Sequence, residues 1–261
     1  MQKRHLDPGQ YFEELAATSR KYFVPYAEQF RRLQPGDKVL EIGCGCGGNL
    51  VPYAERGLEV TGVDITPARI AEAKEFFRGH GLEGRFQVAD ILREGSVEGR
   101  FDLIIVHDVI EHLSDKKRLF DGFDRLSAPG GVVFVGFPAW QMPFGGHQQI
   151  CRNKMAASLP FYHLLPRPLY RWALKAFGET DGRIEELLDI KSCRVTVESF
   201  TKLAKANDYR ILDRRLYLIN PHYESKFGLK PRKLAPIAAG TPYLRNFFST
   251  SCFFILAKGE R

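Results

Sequence analysis

Val39-Leu-Glu-Ile-Gly-Cys-Gly-Cys-Gly-Gly-Asn49 decides how the chain is read. An apolar run ends in a turn with four glycines, Gly43, Gly45, Gly47 and Gly48, and Leu50 to Arg56 follows as a predicted helix. A strand that passes through glycines into a helix lets a ligand lie against bare backbone. Glycine carries no Cβ and tolerates positive φ, and the first N–H groups of a helix have no partner of their own. A second apolar run, Leu58 to Val63, ends in Asp64, 21 residues after Gly43. An acid at that place can accept both hydroxyls of a ribose diol, so the unit reads as nucleoside-binding.

Gly43 to Gly48 spells G-x-G-x-x-G, which by itself also admits a nicotinamide dinucleotide. Glu41, on the strand two residues before the first glycine, argues for a ligand with a cationic amino group. A third run, Arg85 to Ala89, ends in Asp90-Ile91, an acid and an apolar residue suited to an adenine amino group and ring face. Phe101-Asp-Leu-Ile-Ile-Val-His-Asp-Val-Ile-Glu-His-Leu113 follows, and Pro129-Gly-Gly131 introduces a strand from Val132 to Phe137. Together these motifs resemble the class I S-adenosylmethionine-dependent methyltransferases, in the broad group that includes the ubiquinone-pathway O-methyltransferases. The resemblance spans Gly36 to Phe137. It implies S-adenosylmethionine as cofactor and S-adenosylhomocysteine as product. Glu41, Gly43, Cys44, Gly45, Gly48 and Asn49 would hold the methionine end, Asp64 and Ile65 the ribose side, Asp90 and Ile91 the adenine, and His107 would border the sulfonium.

Strand and helix alternate from residue 38 to residue 137, which predicts a Rossmann-like, doubly wound α/β sheet with ligands at the carboxyl ends of the strands. Thr66-Pro67 reads as a helix start with threonine as N-cap. Tyr209 to Ile219 and Thr250 to Lys258 are the expected antiparallel hairpin that completes a mostly parallel sheet. The whole chain of 261 residues is read as one methyltransferase domain in four parts. Residues 1–34 are a helical cover with aromatic residues at helical spacing, 35–137 the cofactor core, 138–192 an insertion after the fifth strand, and 193–261 the completion of the sheet. Tyr11, Tyr22 and Tyr26 of the cover are either core or walls of the cofactor pocket.

The insertion holds Trp140, Phe144, Tyr162 and Trp172. It is expected to cross the mouth of the site and to take a small, partly apolar or aromatic acceptor, with O- or C-methylation favoured; the alternative is that these rings only pack the insertion down. A hydroxyl or carbon acid must lose a proton, and the catalytic candidates are His147, after Gly145-Gly146, and His107. Asp108-x-x-Glu111-His112 with His147 offers possible metal ligands, because some relatives hold a divalent ion on a similar segment; no metal is expected here.

The net charge is +7, and it is uneven. From Arg194 to Arg261 there are 13 basic and 5 acidic residues, against 25 and 26 before them. A basic final third suits a phosphate-bearing substrate, an anionic membrane surface or plain solvation. An RNA methyltransferase and a non-catalytic cofactor-binding module are the two other function classes, and the absence of an aromatic-rich RNA motif counts against nucleic acid. Leu164 to Phe177, with Arg167, Arg171 and Lys175, also reads as a peripheral membrane contact. No apolar run is long enough to span a membrane. Met1 to Pro8 lacks the apolar stretch of a signal peptide, and the five cysteines have no framework spacing, so a cytoplasmic protein with reduced thiols is expected.

Overall fold

The computed structural model describes residues 7–259. The amino-terminal stretch that was read as no signal peptide lies, in its first six residues, outside the described ones. Eight strands form a single sheet: β1 Lys38–Ile42, β2 Glu59–Asp64, β3 Arg85–Val88, β4 Phe101–His107, β5 Ser127–Phe137, β6 Tyr209–Ile219, β7 Arg232–Lys233 and β8 Ser251–Lys258. Their order is β3-β2-β1-β4-β5-β8-β6-β7, with the first five parallel and the last three antiparallel to their neighbours. The order reverses between β1 and β4. In an open parallel sheet the loops diverge there and leave a crevice at the strand ends. The Rossmann-like fold with an antiparallel carboxyl-terminal hairpin is as expected, and β7 adds one short strand beyond it.

Register decides which residue meets which layer, because side chains alternate faces along a strand. Val39 shares one apolar layer with Leu103 and Ile105, under the helices Pro8–Thr18 and Pro67–Gly79. Leu40, Ile42 and Ile104 lie in the other layer, under Lys116–Leu126 and Val197–Ala206. Glu41 therefore points to the side that the amino-terminal helix covers. The insertion builds a third cluster of its own from Tyr162, Tyr170, Leu174, Ile184, Leu187 and Leu188.

Several local expectations shift. The helix after the glycine turn is shorter than Leu50 to Arg56: one 3-10 turn, Gly48–Leu50, then Val51–Ala54, ended by Gly57 at φ 77. The amino-terminal helix runs Pro8–Thr18, widens into a π turn at Ser19–Phe23 and ends at Ala27, well before the end of the expected 1–34 cover. The widened turn directly precedes Pro25, whose missing N–H removes one rung of the ladder. Thr66 sits at the N-cap of Pro67–Gly79 but its hydroxyl makes no capping bond; Asp64 Oδ1 accepts from the Thr66 N–H at 2.8 Å instead. All five cysteines are buried free thiols. No helix of the described residues is long and apolar enough to cross a membrane.

Candidate cofactor and acceptor site

A cavity of about 130 Å³ opens at the switch between β1 and β4. Gly43, Cys44, Gly45 and Asn49 form its floor, Tyr11, Leu15, Thr18 and Phe23 one wall, and His107, Asp108 and His222 the other. A second cleft of about 310 Å³ lies at one edge of the sheet, between β6 and β7, and shares none of these residues.

Glu41 is buried at the base of the site. Its Oε1 accepts from Asn49 Nδ2 at 2.7 Å, and Oε2 has no partner among the described residues. Burial pushes the carboxyl up to about 8; the Asn49 bond opposes this and the charge of Asp64 adds to it. A buried carboxylate with a free oxygen is costly unless a cation meets it. Asn49 is held in turn from above, where Ser19 Oγ donates to its carbonyl at 2.7 Å.

Asp64 ends β2 with both oxygens committed once. Oδ2 accepts from the Gly45 N–H at 3.0 Å and Oδ1 from Thr66. Each carboxylate oxygen has a second lone pair, so this geometry fixes the group and leaves it able to accept a diol. Ile65 beside it is 70% exposed, an apolar surface open to a ligand.

The glycines separate into different jobs. A Cβ on Gly45, at φ 52, would meet nothing within 4 Å, so this is the point of bare approach. A Cβ on Gly48 would sit 2.5 Å from the Phe12 carbonyl oxygen and 2.7 Å from Leu15 Cβ. Gly48, expected to touch the cofactor, instead lets the amino-terminal helix lie on the turn.

Adenine contacts need a similar correction. Asp90 is partly exposed and accepts from the Leu92 N–H at 3.0 Å, but Ile91 is buried in the opposite layer, facing Gly122 of Lys116–Leu126. The chain turns after Asp90, which drives Ile91 into the core and leaves Ile65 and Val88 as the exposed apolar residues there.

His107 lines the cavity and packs against Phe23 at 4.7 Å between ring centres. Its Nδ1 lies 3.3 Å from Asp108 Oδ2, while Nε2, beside Gly136, is buried without a partner among the described residues. Asp108 has φ 54, a left-handed backbone that turns its carboxylate into the cavity mouth.

His147 does not line the cavity, although it is close enough to Asp108 to feel its charge. Its ring meets His112 edge-on at 4.8 Å, and one ligand atom each from Glu111, His112 and His147 fall within 4.8 Å of one another. Asp108 is not one of the three. Glu111 is buried with both oxygens unpartnered among the described residues, and burial, then the charge of Asp108, raises its carboxyl well above the usual range. Desolvation, then His112, lowers His147 to about 4. Residues 138–192 do not line the cavity among the described residues, contrary to the expectation that they cross its mouth. Trp140 is buried against His163 and Tyr162 against Tyr170, within the insertion's own packing, whereas Trp172 faces outward and is exposed.

The wall comes from places that sequence weighed less. Of the three tyrosines only Tyr11 lines the cavity; Tyr22 binds Glu224, and Tyr26 is buried on Phe253. His222 reaches the site from the long loop after β6, with Nδ1 3.1 Å from Thr18 Oγ1. Asn220 to Asn246 is long for the link between two hairpin strands, which is the sequence signal for such a contact.

A glycine turn, an acid-tipped second strand and a buried acid on the first thus meet at the strand ends of an α/β sheet. Residues 40–133 match the family model of a methyltransferase domain. The chain is 32% identical over 166 residues to phosphoethanolamine N-methyltransferase 1 of Arabidopsis thaliana, covering 60% of this chain and 31% of that one. It is 33% identical over 100 residues to norajmaline N-methyltransferase of Rauvolfia serpentina, covering 37% and 34%. The match thus spans about a third of the length of these curated relatives. Among solved structures, an S-adenosylmethionine-dependent methyltransferase from Clostridium acetobutylicum superposes with TM-score 0.59 at 13% identity, over 94% of this chain and 92% of that one. Magnesium protoporphyrin IX methyltransferase from Synechocystis with bound S-adenosylhomocysteine gives 0.53 at 14%, over 95% and 83%. Residues 40–133 thus resemble a methyltransferase domain, and the chain has the fold of the S-adenosylmethionine-dependent methyltransferases.

The residues present fit S-adenosylmethionine. The unpartnered Glu41 oxygen suits its ammonium, and the open space over Gly45 suits its backbone approach. The enclosed volume is below the ~300–1,000 Å³ of ordinary ligand pockets. It accounts for one end of the molecule, with Asp64 and the exposed face of Ile65 continuing outward for the other.

Proposed function

We propose that the protein methylates a small, amine-bearing acceptor placed between Tyr11, Asp108 and His222. The observation that carries this reading is the Asp108 carboxylate in a cavity whose lining contains no lysine or arginine. Such a wall favours a cationic or neutral amine over an anionic acceptor. Two relatives named as N-methyltransferases support the same direction.

S-adenosylmethionine, when bound, supplies an already activated methyl group. The chain's share is then positioning and desolvation. Glu41 and Asn49 hold the methionine end, Asp64 the ribose hydroxyls, and Cys44 and Gly45 the backbone between them. His107 fixes Asp108 through Nδ1, and Asp108 takes the proton that an ammonium acceptor must lose. Tyr11 and Phe23 shut water out from above. O- or C-methylation is the second reading; it is favoured by the same His107–Asp108 pair, which could equally take a hydroxyl proton.

The test begins with titration calorimetry of S-adenosylhomocysteine on wild type and Asp64→Ala, followed by transfer of labelled methyl to panels of amines, phenols and hydroxy acids. Binding lost in Asp64→Ala is expected, with amines labelled. Asp108→Asn should keep the S-adenosylhomocysteine affinity and lose about a hundredfold in kcat/KM. Labelling confined to phenols would exclude the amine reading. A folded wild type that does not bind would exclude the cofactor assignment.

A further inference from the structure

Two stretches of the chain have a basic composition without a single acid. Residues 150–178 contain five Lys or Arg and no Asp or Glu, and residues 225–250 again contain five and none. The same two stretches hold most of the large apolar side chains that the described residues leave exposed. They meet in space, since the rings of Phe161 and Phe247 lie 6.3 Å apart.

The helix Arg167–Ala176 shows how the face is built. Tyr170 and Leu174 are buried in the insertion's own core. At 3.6 residues per turn, Leu169 and Trp172 then fall on the opposite, outward side, and Leu165 sits one turn before them. Leu169 is 52% and Trp172 69% exposed. Arg171 and Lys175 lie along the flank, the first paired to Glu185 and the second 3.9 Å from Asp181, while Arg152 and Lys154 are exposed nearby in sequence. Beyond Phe247, Tyr243 and Leu244 continue the apolar surface.

We propose that this face docks the protein on the surface of an anionic phospholipid bilayer. Outward leucines would enter the headgroup boundary, Trp172 and Tyr243 have the amphipathic rings that favour that depth, and the exposed Arg152 and Lys154 would meet the lipid charge. A second copy of the chain fits less well, because two such faces would bring basic residues against each other. Nucleic acid fits less well because Leu165 and Leu169 beside Trp172 offer bases nothing to stack on. The proposal does not depend on which acceptor is methylated.

Co-sedimentation of the full chain with vesicles tests it, using phosphatidylcholine alone and phosphatidylcholine with about a third phosphatidylglycerol. Binding to the anionic vesicles is expected, with a blue-shifted Trp172 emission while the buried Trp140 serves as a steady background. Leu169→Glu with Trp172→Glu should reduce binding at least tenfold and leave the circular dichroism melt unchanged, since both side chains are exposed. Arg152→Glu and Lys154→Glu should each cost about fivefold, less at high salt. No binding to either vesicle would overturn the proposal. So would binding that the paired Glu substitutions leave intact, or a concentration-dependent dimer that buries Trp172 in the absence of lipid.

Discussion

Glu41 is raised to about 8 by burial, and the sign of that shift sets two opposite pH dependences. A carboxyl whose folded pKa lies above its unfolded value gives stability that is present below about pH 4.5 and lost as pH rises toward 8. Cofactor binding runs the other way, because the ionised form meets the ammonium. The affinity for S-adenosylhomocysteine should therefore strengthen from pH 6 to pH 8 and level off, and calorimetry on Glu41→Gln should show a flatter and weaker profile. An unchanged profile in the mutant would remove Glu41 from the site. The glycines allow an equally sharp contrast. Gly45→Ala meets no atom but fills the approach and costs about 1 kcal/mol for its positive φ, so ligand binding should fall far more than the melting temperature. Gly48→Ala collides with the backbone of the amino-terminal helix and should destabilise by about 1–3 kcal/mol whether or not ligand is present.

At the scale of elements, the helix Val197–Ala206 begins with a reciprocal capping box between Thr196 and Ser199, and it packs Phe200 against Phe254 of β8. Thr196→Ala should lower unfolding free energy by about 1 kcal/mol in denaturant titration, with the slope unchanged. The insertion responds to acid. His147 is depressed to about 4, so its neutral form contributes stability above pH 6.5 that disappears as pH falls toward 4. His147→Gln should flatten the acid limb of a pH–stability curve, and cofactor affinity at neutral pH should not change, since His147 does not line the cavity. A large loss of affinity would return this histidine to the site.

For the whole molecule, the amino-terminal helix is both core and wall. Phe12 packs on Phe76 and Phe77, Arg31 is paired with Asp102 at the start of β4, and Tyr11 closes the cavity. Ligand binding and global stability should therefore be linked. S-adenosylhomocysteine at a hundred times its Kd should add about 2.7 kcal/mol, or roughly 5–10 °C in Tm for a chain of this size. A melting temperature that ignores the ligand would contradict the pocket.

The sheet was legible because local sequence carries it. Apolar runs fix the strands, glycine is read directly from its backbone freedom, and Glu41, Asp64 and Asp90 stand at fixed distances from strands that the chain cannot slide. Ile91 misled because its neighbour Asp90 is solvent-facing, and one residue of register reverses the face a side chain meets. His147 misled because a loop histidine after two glycines has no periodicity to place it. The wall formed by Tyr11 and His222 joins positions 211 residues apart, and the choice between Gly45 as an opening and Gly48 as a packing surface depends on a helix some 35 residues upstream. The sequence by itself thus determined the fold class and the polar groups offered to a nucleoside, since these follow from short-range pattern. Only the tertiary structure decided which side chains close over the acceptor, since that depends on how distant segments pack across the ends of the strands.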